Sequence, residues 1–167
     1  MSGAMVTLAK GQKWQDPSKF SIDITGAGAD VLELPGPEIL SMCCQGIQLA
    51  EINSNPIEQY IAEEWRFGTK ILENYQIAIT FKDYNNFELY KKFAKGIQKF
   101  LRMYPDEQKF DIRVDTSDDF SVDDFKTVVE YKDCMLVAVA GSTLDNSAVA
   151  SVAEFTVTMK CSYVITH

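Results

Sequence analysis

The residues able to carry covalent or ionic chemistry are few and poorly spaced for it. His167 is the single histidine in 167 residues, and a Ser–His or Cys–His nucleophilic pair needs an imidazole held in a packed setting, not at a position prone to fray. Four cysteines stand at 43, 44, 134 and 161. Adjacent Cys43 and Cys44 match neither a usual bridge nor a zinc-ligand spacing, so all four read as buried reduced thiols of a protein made in the cytosol. The stretch "GAGAD" (26–30) is a loose likeness of a phosphate-binding glycine loop. It lacks the third glycine and reads as a turn that does not open a helix. The acidic stretches "DTSDD" and "SVDDF" hold oxygen ligands but not the Asp, Gly and terminal Glu order of a calcium loop. They read as solvated turns. No catalytic, cofactor-binding or metal-binding constellation assembles, and the chain reads as a non-enzyme without a cofactor.

Bulk composition narrows the class further. With 46% hydrophobic and 24% charged residues, the chain is ordinary for one folded domain able to bury a substantial core. A net charge of −8 argues against general affinity for nucleic-acid phosphates, which needs clustered Lys and Arg, and against docking on an anionic membrane. It is compatible with a surface that lets DNA pass without holding it, since like charges repel. No run of about 18 apolar residues exists to span a bilayer, and the start "MSGAMVTLAKGQKW" lacks the apolar region of a secretory signal.

Residues 1–18 read as a flexible arm and 19–167 as the folded domain. "KFSIDITG" alternates Phe20, Ile22 and Ile24 against Ser21 and Asp23, as a half-buried strand does. "LELPGPEILSMCCQGIQLAE" holds an apolar stretch that reads as another strand. The stretch 53–70 is an extended excursion or hairpin with a turn at Asn55-Pro56. In "ENYQIAITFKDY", Tyr75, Ile77, Ile79 and Phe81 share one face of a clear strand. The period then changes. From "NNFELYKKFAKGIQKFLRMY", Phe87, Tyr90, Phe93, Ala94, Ile97, Phe100, Leu101 and Tyr104 make one helical stripe, with lysines outside it. Asn85 or Asn86 can cap this helix and Pro105 stops it; its lysines read as a solvated face. "KFDIRVDT", "FKTVVEYKDCMLVAVAG" and the closing "EFTVTMKCSYVITH" are further strands. In the last, Phe155, Val157, Met159, Cys161, Tyr163 and Ile165 point one way and Thr156, Thr158, Lys160 and Ser162 the other. The fold class is therefore mainly β, an antiparallel sandwich or barrel with one flanking amphipathic helix. One helix cannot cover every strand edge, and open edges invite pairing with another chain. The pattern is that of an assembler.

Taken in order, three stretches resemble the tail-tube proteins of contractile-tailed bacteriophages, across about residues 18–165. "SKFSIDI" is similar to that family's first strand. "NYQIAITFKDYNNFELYKKFAKGIQKF" is similar to its central strand, polar turn and helix. "TLDNSAVASVAEFTVTMKCSYV" is similar to its C-terminal turn and strand. The stretch 131–145 departs from it, lacking the Trp-Pro or similar turn often found there. The resemblance implies a domain that closes into a continuous barrel on hexamerisation, with rings stacked into a tube inside a contractile sheath. It implies sheath, baseplate and tape-measure proteins as partners, transient passage of DNA, and assembly in a bacterial host cytoplasm into a virion tail, without membrane anchoring. Lys82, Asp111, Arg113, Thr156, Thr158, Lys160 and Ser162 are then expected on lumen or inter-ring faces. Phe155 to Tyr163 would pack with Phe87, Phe93 and Ile97. Pro56, Ile57, Tyr60, Ile61, Trp65 and Phe67 are too apolar for a free loop and are expected to reach a neighbouring copy. A baseplate protein that initiates the tube and a type VI or injection-particle tube subunit share these expectations. A monomeric small-molecule-binding barrel is the alternative from another class.

Overall fold

The computed structural model describes residues 20–49, 54–61, 64–71, 75–84, 87–117, 125–141 and 153–167. Strict alternation turns into burial wherever a strand lies over the core. In β5 (Tyr75–Lys82) the odd positions are buried and the even ones are not, and β8 (Glu154–Cys161) buries Phe155, Val157, Met159 and Cys161 in the same way. β1 (Phe20–Thr25) and β6 (Phe110–Ser117) contribute Ile22, Ile24, Phe110, Ile112 and Val114 to the same hydrophobic cluster. The remaining strands are β2 (Cys44–Gln48), β3 (Ser54–Ile61), β4 (Glu64–Ile71), β7 (Phe125–Ala140) and β9 (Tyr163–Thr166).

A seven-stranded sheet runs β1-β6-β7-β8-β5-β2, with β9 also on β7. It does not close on itself. All its pairings are antiparallel, and β7 is shared between two halves. Its first part pairs with β6 and β9, and its second part, Met135–Ala140, pairs with β8. The changeover falls at Asp133, whose φ is 51, opposite the break between β8 and β9 at Ser162. Ser162 donates its N–H to the carbonyl of Lys132 at 3.1 Å there. The terminal strand is thus two pieces along one partner. Phe155, Val157, Met159 and Cys161 stay buried, while Tyr163 is 48% exposed, because beyond the break the chain belongs to the other half.

Three α-helices are present among the described residues, where the sequence reading expected one: α1 (Ala27–Leu32), α2 (Pro37–Cys43) and α3 (Glu88–Phe100). The first two are six and seven residues long, too short for their period to register. "GAGAD" therefore does open a helix, contrary to expectation. One of its first-turn amides is already taken, because Gly28 donates to the carbonyl of Lys109 at 2.9 Å. Gly26 enters α1 at φ 103, and a Cβ there would lie 2.8 Å from the same Lys109 oxygen. Gly26→Ala is expected to cost about 2 kcal/mol or more, from left-handed strain plus a clash with main chain, read as a lower urea midpoint.

The amphipathic helix is α3. It buries Leu89, Phe93, Gly96 and Phe100, a stripe rotated from the expected one. Leu101 and Tyr104, counted into that stripe, are 82% and 78% exposed, because the helix ends at Phe100. Its start is held from six residues upstream. The Asp83 carboxylate accepts the N–H of Leu89 at 3.1 Å and of Tyr90 at 3.0 Å, complementing the positive end of the helix. Asn85 and Asn86, the expected caps, lie outside the described residues.

Between β2 and β5, which pair with each other, the chain makes a separate two-stranded sheet of β3 and β4. Asn55 and Pro56 lie inside β3 instead of forming a turn, and Ile61 pairs with Glu64 at the hairpin's end. A proline is tolerated where a strand has a free edge.

Candidate functional site

The groups that could do chemistry are spent or shielded. His167 Nε2 sits 3.3 Å from Glu130 Oε1 on the outer side of β7. Cys134 and Cys161 are buried, Cys43 and Cys44 half-buried, and all four are free. Burial pushes the Cys44 thiol up to about 11. A hydrogen bond to Cys161, then burial, holds Cys134 far above the ordinary thiol range. Neither supplies a thiolate near neutral pH. Among the described residues no group of three or more His, Cys, Asp or Glu could hold a metal ion. An apolar cavity of about 290 Å³ between α3 and the start of β8 is lined by Phe87, Tyr90, Gly141, Glu154 and Phe155, with Asp83 at its rim. That carboxylate is already committed to the helix.

What the fold builds instead is a polar sheet face with two unpaired edges. The half formed by β2, β5, β8 and the second part of β7 is apolar inside. Outside, the register sets Gln76 beside Lys160, Ala78 beside Thr158, Thr80 beside Thr156 and Lys82 beside Glu154. The hydroxyls of Thr80 and Thr156 lie 3.1 Å apart. Ala138 and Ala140 continue the row on β7, and Gly46 and Gln48 on β2. Four of the seven residues assigned to lumen or inter-ring faces, Lys82, Thr156, Thr158 and Lys160, therefore share one surface of small, mostly uncharged side chains.

The other three lie elsewhere. Asp111 and Arg113 are on β6, in the other half of the sheet. Arg113 reaches Asp23 at 3.5 Å and Asp115 at 3.2 Å, and Asp111 accepts from Lys132 at 3.3 Å. They belong to an ion-paired cluster on that other half of the sheet. Ser162 marks the break between β8 and β9, where its hydroxyl donates to the Asp133 carbonyl at 3.4 Å. Alternation shows which side of a strand is outward, not which half of the sheet it joins.

β8 is not an open edge, since β5 and β7 flank it. The unpaired edges of the polar-faced half are β2 on one side and Met135–Ala140 of β7 on the other. In the other half β1 and β9 are end strands, and α2 covers β1: Ser41 Oγ accepts the Ile22 N–H at 3.0 Å and donates to the Ile22 carbonyl at 3.2 Å. No such lid is seen over the two edges of the polar-faced half among the described residues. Exposed apolar side chains gather beside them instead. Met42 is 85% and Leu49 51% exposed at the two ends of β2, and Val137 is 47% exposed on β7. Sequence reasoning missed Ser41, Met42, Asp83 and Val137; an exposed methionine before a short strand was the available signal.

Pro56, Ile57, Tyr60, Ile61, Trp65 and Phe67 all fall on β3 and β4. The register sets Tyr60 opposite Trp65, Ile57 opposite Gly68 and Pro56 opposite Thr69.

No protein-family model matches the chain, and no curated protein matches it either. Solved structures do. A chain of the sheath–tube complex of an extracellular contractile injection system, PVC, in the extended state, aligns over 100% of this chain and 98% of its own, with a TM-score of 0.67 and 13% identity. The sheath/tube terminator of the same system aligns over 94% and 99%, at 0.65 and 11%. This is the fold of contractile-injection tube and terminator proteins. The tube-terminating cap of the anti-feeding prophage shares it as well, over 92% of this chain and 91% of its own, at 0.64 and 12%. What is held in common at such identity is the course of the backbone.

Proposed function

We propose that this protein is the repeating subunit of the inner tube of a contractile tail, a structural protein that forms stacked hexameric rings around a channel for genome ejection. The observation that carries this reading is the four-stranded half-sheet with a polar outer face and an open strand at each side. Because β2, β5, β8 and β7 alternate in direction, the β7 edge of one copy meets the β2 edge of the next antiparallel, the better ladder. Six such half-sheets make a barrel of about 24 strands. At roughly 4.8 Å per strand and a tilt near 40°, its backbone diameter is roughly 48 Å, a bore that passes duplex DNA.

On this reading Lys82, Thr156, Thr158 and Lys160 line the lumen. Small hydroxyls and methyls with sparse charge give a passing polyanion little to hold. Asp111 and Arg113 face outward, toward sheath or adjoining rings. The β3–β4 hairpin carries Pro56, Ile57, Tyr60, Ile61, Trp65 and Phe67 to a neighbouring copy, since an isolated two-stranded hairpin is marginally stable alone. The tube's partners are its sheath, baseplate and tape-measure proteins, and its place is the virion tail. A terminating cap is the second reading, favoured by the likeness to a terminator and a cap. Negative-stain microscopy of concentrated protein separates these outcomes. Hollow rods support the tube subunit and single rings the cap. A species that stays monomeric by light scattering at every concentration overturns both.

A further inference from the structure

The basic face of α3 is left unused by the lumen, the edges and the hairpin. Five of the chain's 16 Lys and Arg lie between 91 and 102, and no Asp or Glu occurs from 89 to 105, in a protein of net charge −8. Lys95, Gln98, Lys99, Arg102 and Met103 line an open groove at the C-terminal half of this helix. Two apolar side chains stand fully out beside it, Leu101 and Tyr104, 82% and 78% exposed. The nearby acids do not neutralise the groove. Asp106 is paired with Lys109 at 2.8 Å, and Glu107 accepts the Tyr104 N–H at 3.3 Å. Among the described residues Lys99 Nζ meets a main-chain carbonyl, that of Val31, at 3.3 Å, and no carboxylate.

This patch is fixed at the beginning of β6. The rings of Phe100 and Phe110 lie 5.7 Å apart, and the Gln108 side-chain amide donates to the carbonyls of Phe100 and Met103, each at 2.7 Å. At the other end of β6, about 24 Å from Phe110 along the strand, Ser117 pairs with Phe125, and residues 118–124 join those two in sequence. Their sequence is Asp-Asp-Phe-Ser-Val-Asp-Asp. Four carboxylates with Phe120 and Val122 among them complement three cations flanked by Leu101 and Tyr104. The groove lies at the start of β6 and the anchors Ser117 and Phe125 at its end, so a contact between the groove of one copy and the stretch after Ser117 of another runs head to tail, and a contact of that kind propagates.

We propose that the groove of Lys95, Lys99 and Arg102, with Leu101 and Tyr104, takes residues 118–124 of a second copy. This deepens the tube reading, on which it rests, by naming the contact that sets one ring on the next.

The test has two readouts. A fluorescein-labelled peptide spanning 116–126 is expected to bind the full-length protein at low salt. Its binding should weaken about tenfold in the Lys95→Glu/Lys99→Glu/Arg102→Glu variant, as lost charge complementarity dictates, with an unchanged thermal melt. In microscopy, this variant and the Asp118→Lys/Asp119→Lys/Asp123→Lys/Asp124→Lys variant should each form rings without rods. A chain carrying both reversals should regain rods. No peptide binding, or rods from both one-sided variants, overturns this contact while leaving the tube standing. Absence of rings from the unmodified protein overturns the tube, and the peptide still decides the contact.

Discussion

Met42→Glu and Val137→Lys are each expected to leave the folded monomer intact and abolish ring formation. Met42 is 85% exposed and Val137 47% exposed, and surface substitutions of this kind stay within about 0.5 kcal/mol of the parent in stability. Within one copy, Met42 has little packing to lose and Val137, half exposed, only part of its own. Between copies the account changes. Both stand beside the strand edges that lack a ladder partner, Met42 just before β2 and Val137 in the second part of β7. Seating such a side chain against a neighbour contributes roughly 1.5–3 kcal/mol. Replacing it with a charge forgoes that gain and adds the cost of desolvating an unpaired ion, several kcal/mol more. Charged residues on edge strands block edge pairing by the same means. Sedimentation velocity beside a thermal melt reads both halves of this expectation. Rings that persist in either variant would place the subunit contact away from these edges.

The parts of the fold legible in the sequence are those where a repeating period ran long enough to be distinctive. β5 and β8, eight residues each, alternate without a fault, and their buried sets are the ones read from sequence. α3 was legible in type and position but not in phase. Leu89 and Gly96 are buried because α1 lies against the helix: a Cβ on Gly96 would come within 2.3 Å of Leu32 Cδ2. An approach that close is a tertiary fact, invisible in a hydrophobic stripe. α1 and α2 escaped because two turns of helix among glycines and prolines look like turn chemistry. Of the candidate site, the outward side of each strand was legible, while the half of the sheet that a strand joins was not: Lys82 and Lys160 lie on one half, Asp111 and Arg113 on the other. One strand passing between two halves of a sheet decides that assignment, and β7 makes the passage at Asp133, where no glycine announces it. The polar face was readable; the open edges were not, since an edge is defined by the partner a strand lacks.

Phe93→Ala is expected to be the most damaging single change to the folded chain. Phe93 is fully buried, and its ring lies 5.9 Å from that of Phe81 and 6.1 Å from that of Phe155, which are themselves 5.5 Å apart. One side chain thus joins α3 to both central strands of the polar-faced half-sheet. Truncating a buried phenylalanine removes its transfer free energy and leaves a cavity, about 3–5 kcal/mol together, against a total stability of roughly 5–15 kcal/mol for a domain. The cavity cannot collapse easily, because Phe81 and Phe155 are held in register by the β5–β8 ladder. Leu101→Ala is the matched control, one residue beyond the helix and 82% exposed, with an expected cost below about 0.5 kcal/mol. Urea unfolding followed by circular dichroism measures both. The comparison also bears on stacking, since the basic groove can present a rigid surface to a second copy only if α3 is fastened to the sheet beneath it. A cost for Phe93→Ala no larger than that of Leu101→Ala would mean the helix is not fastened there, and a docking platform on its outer face would lose its footing.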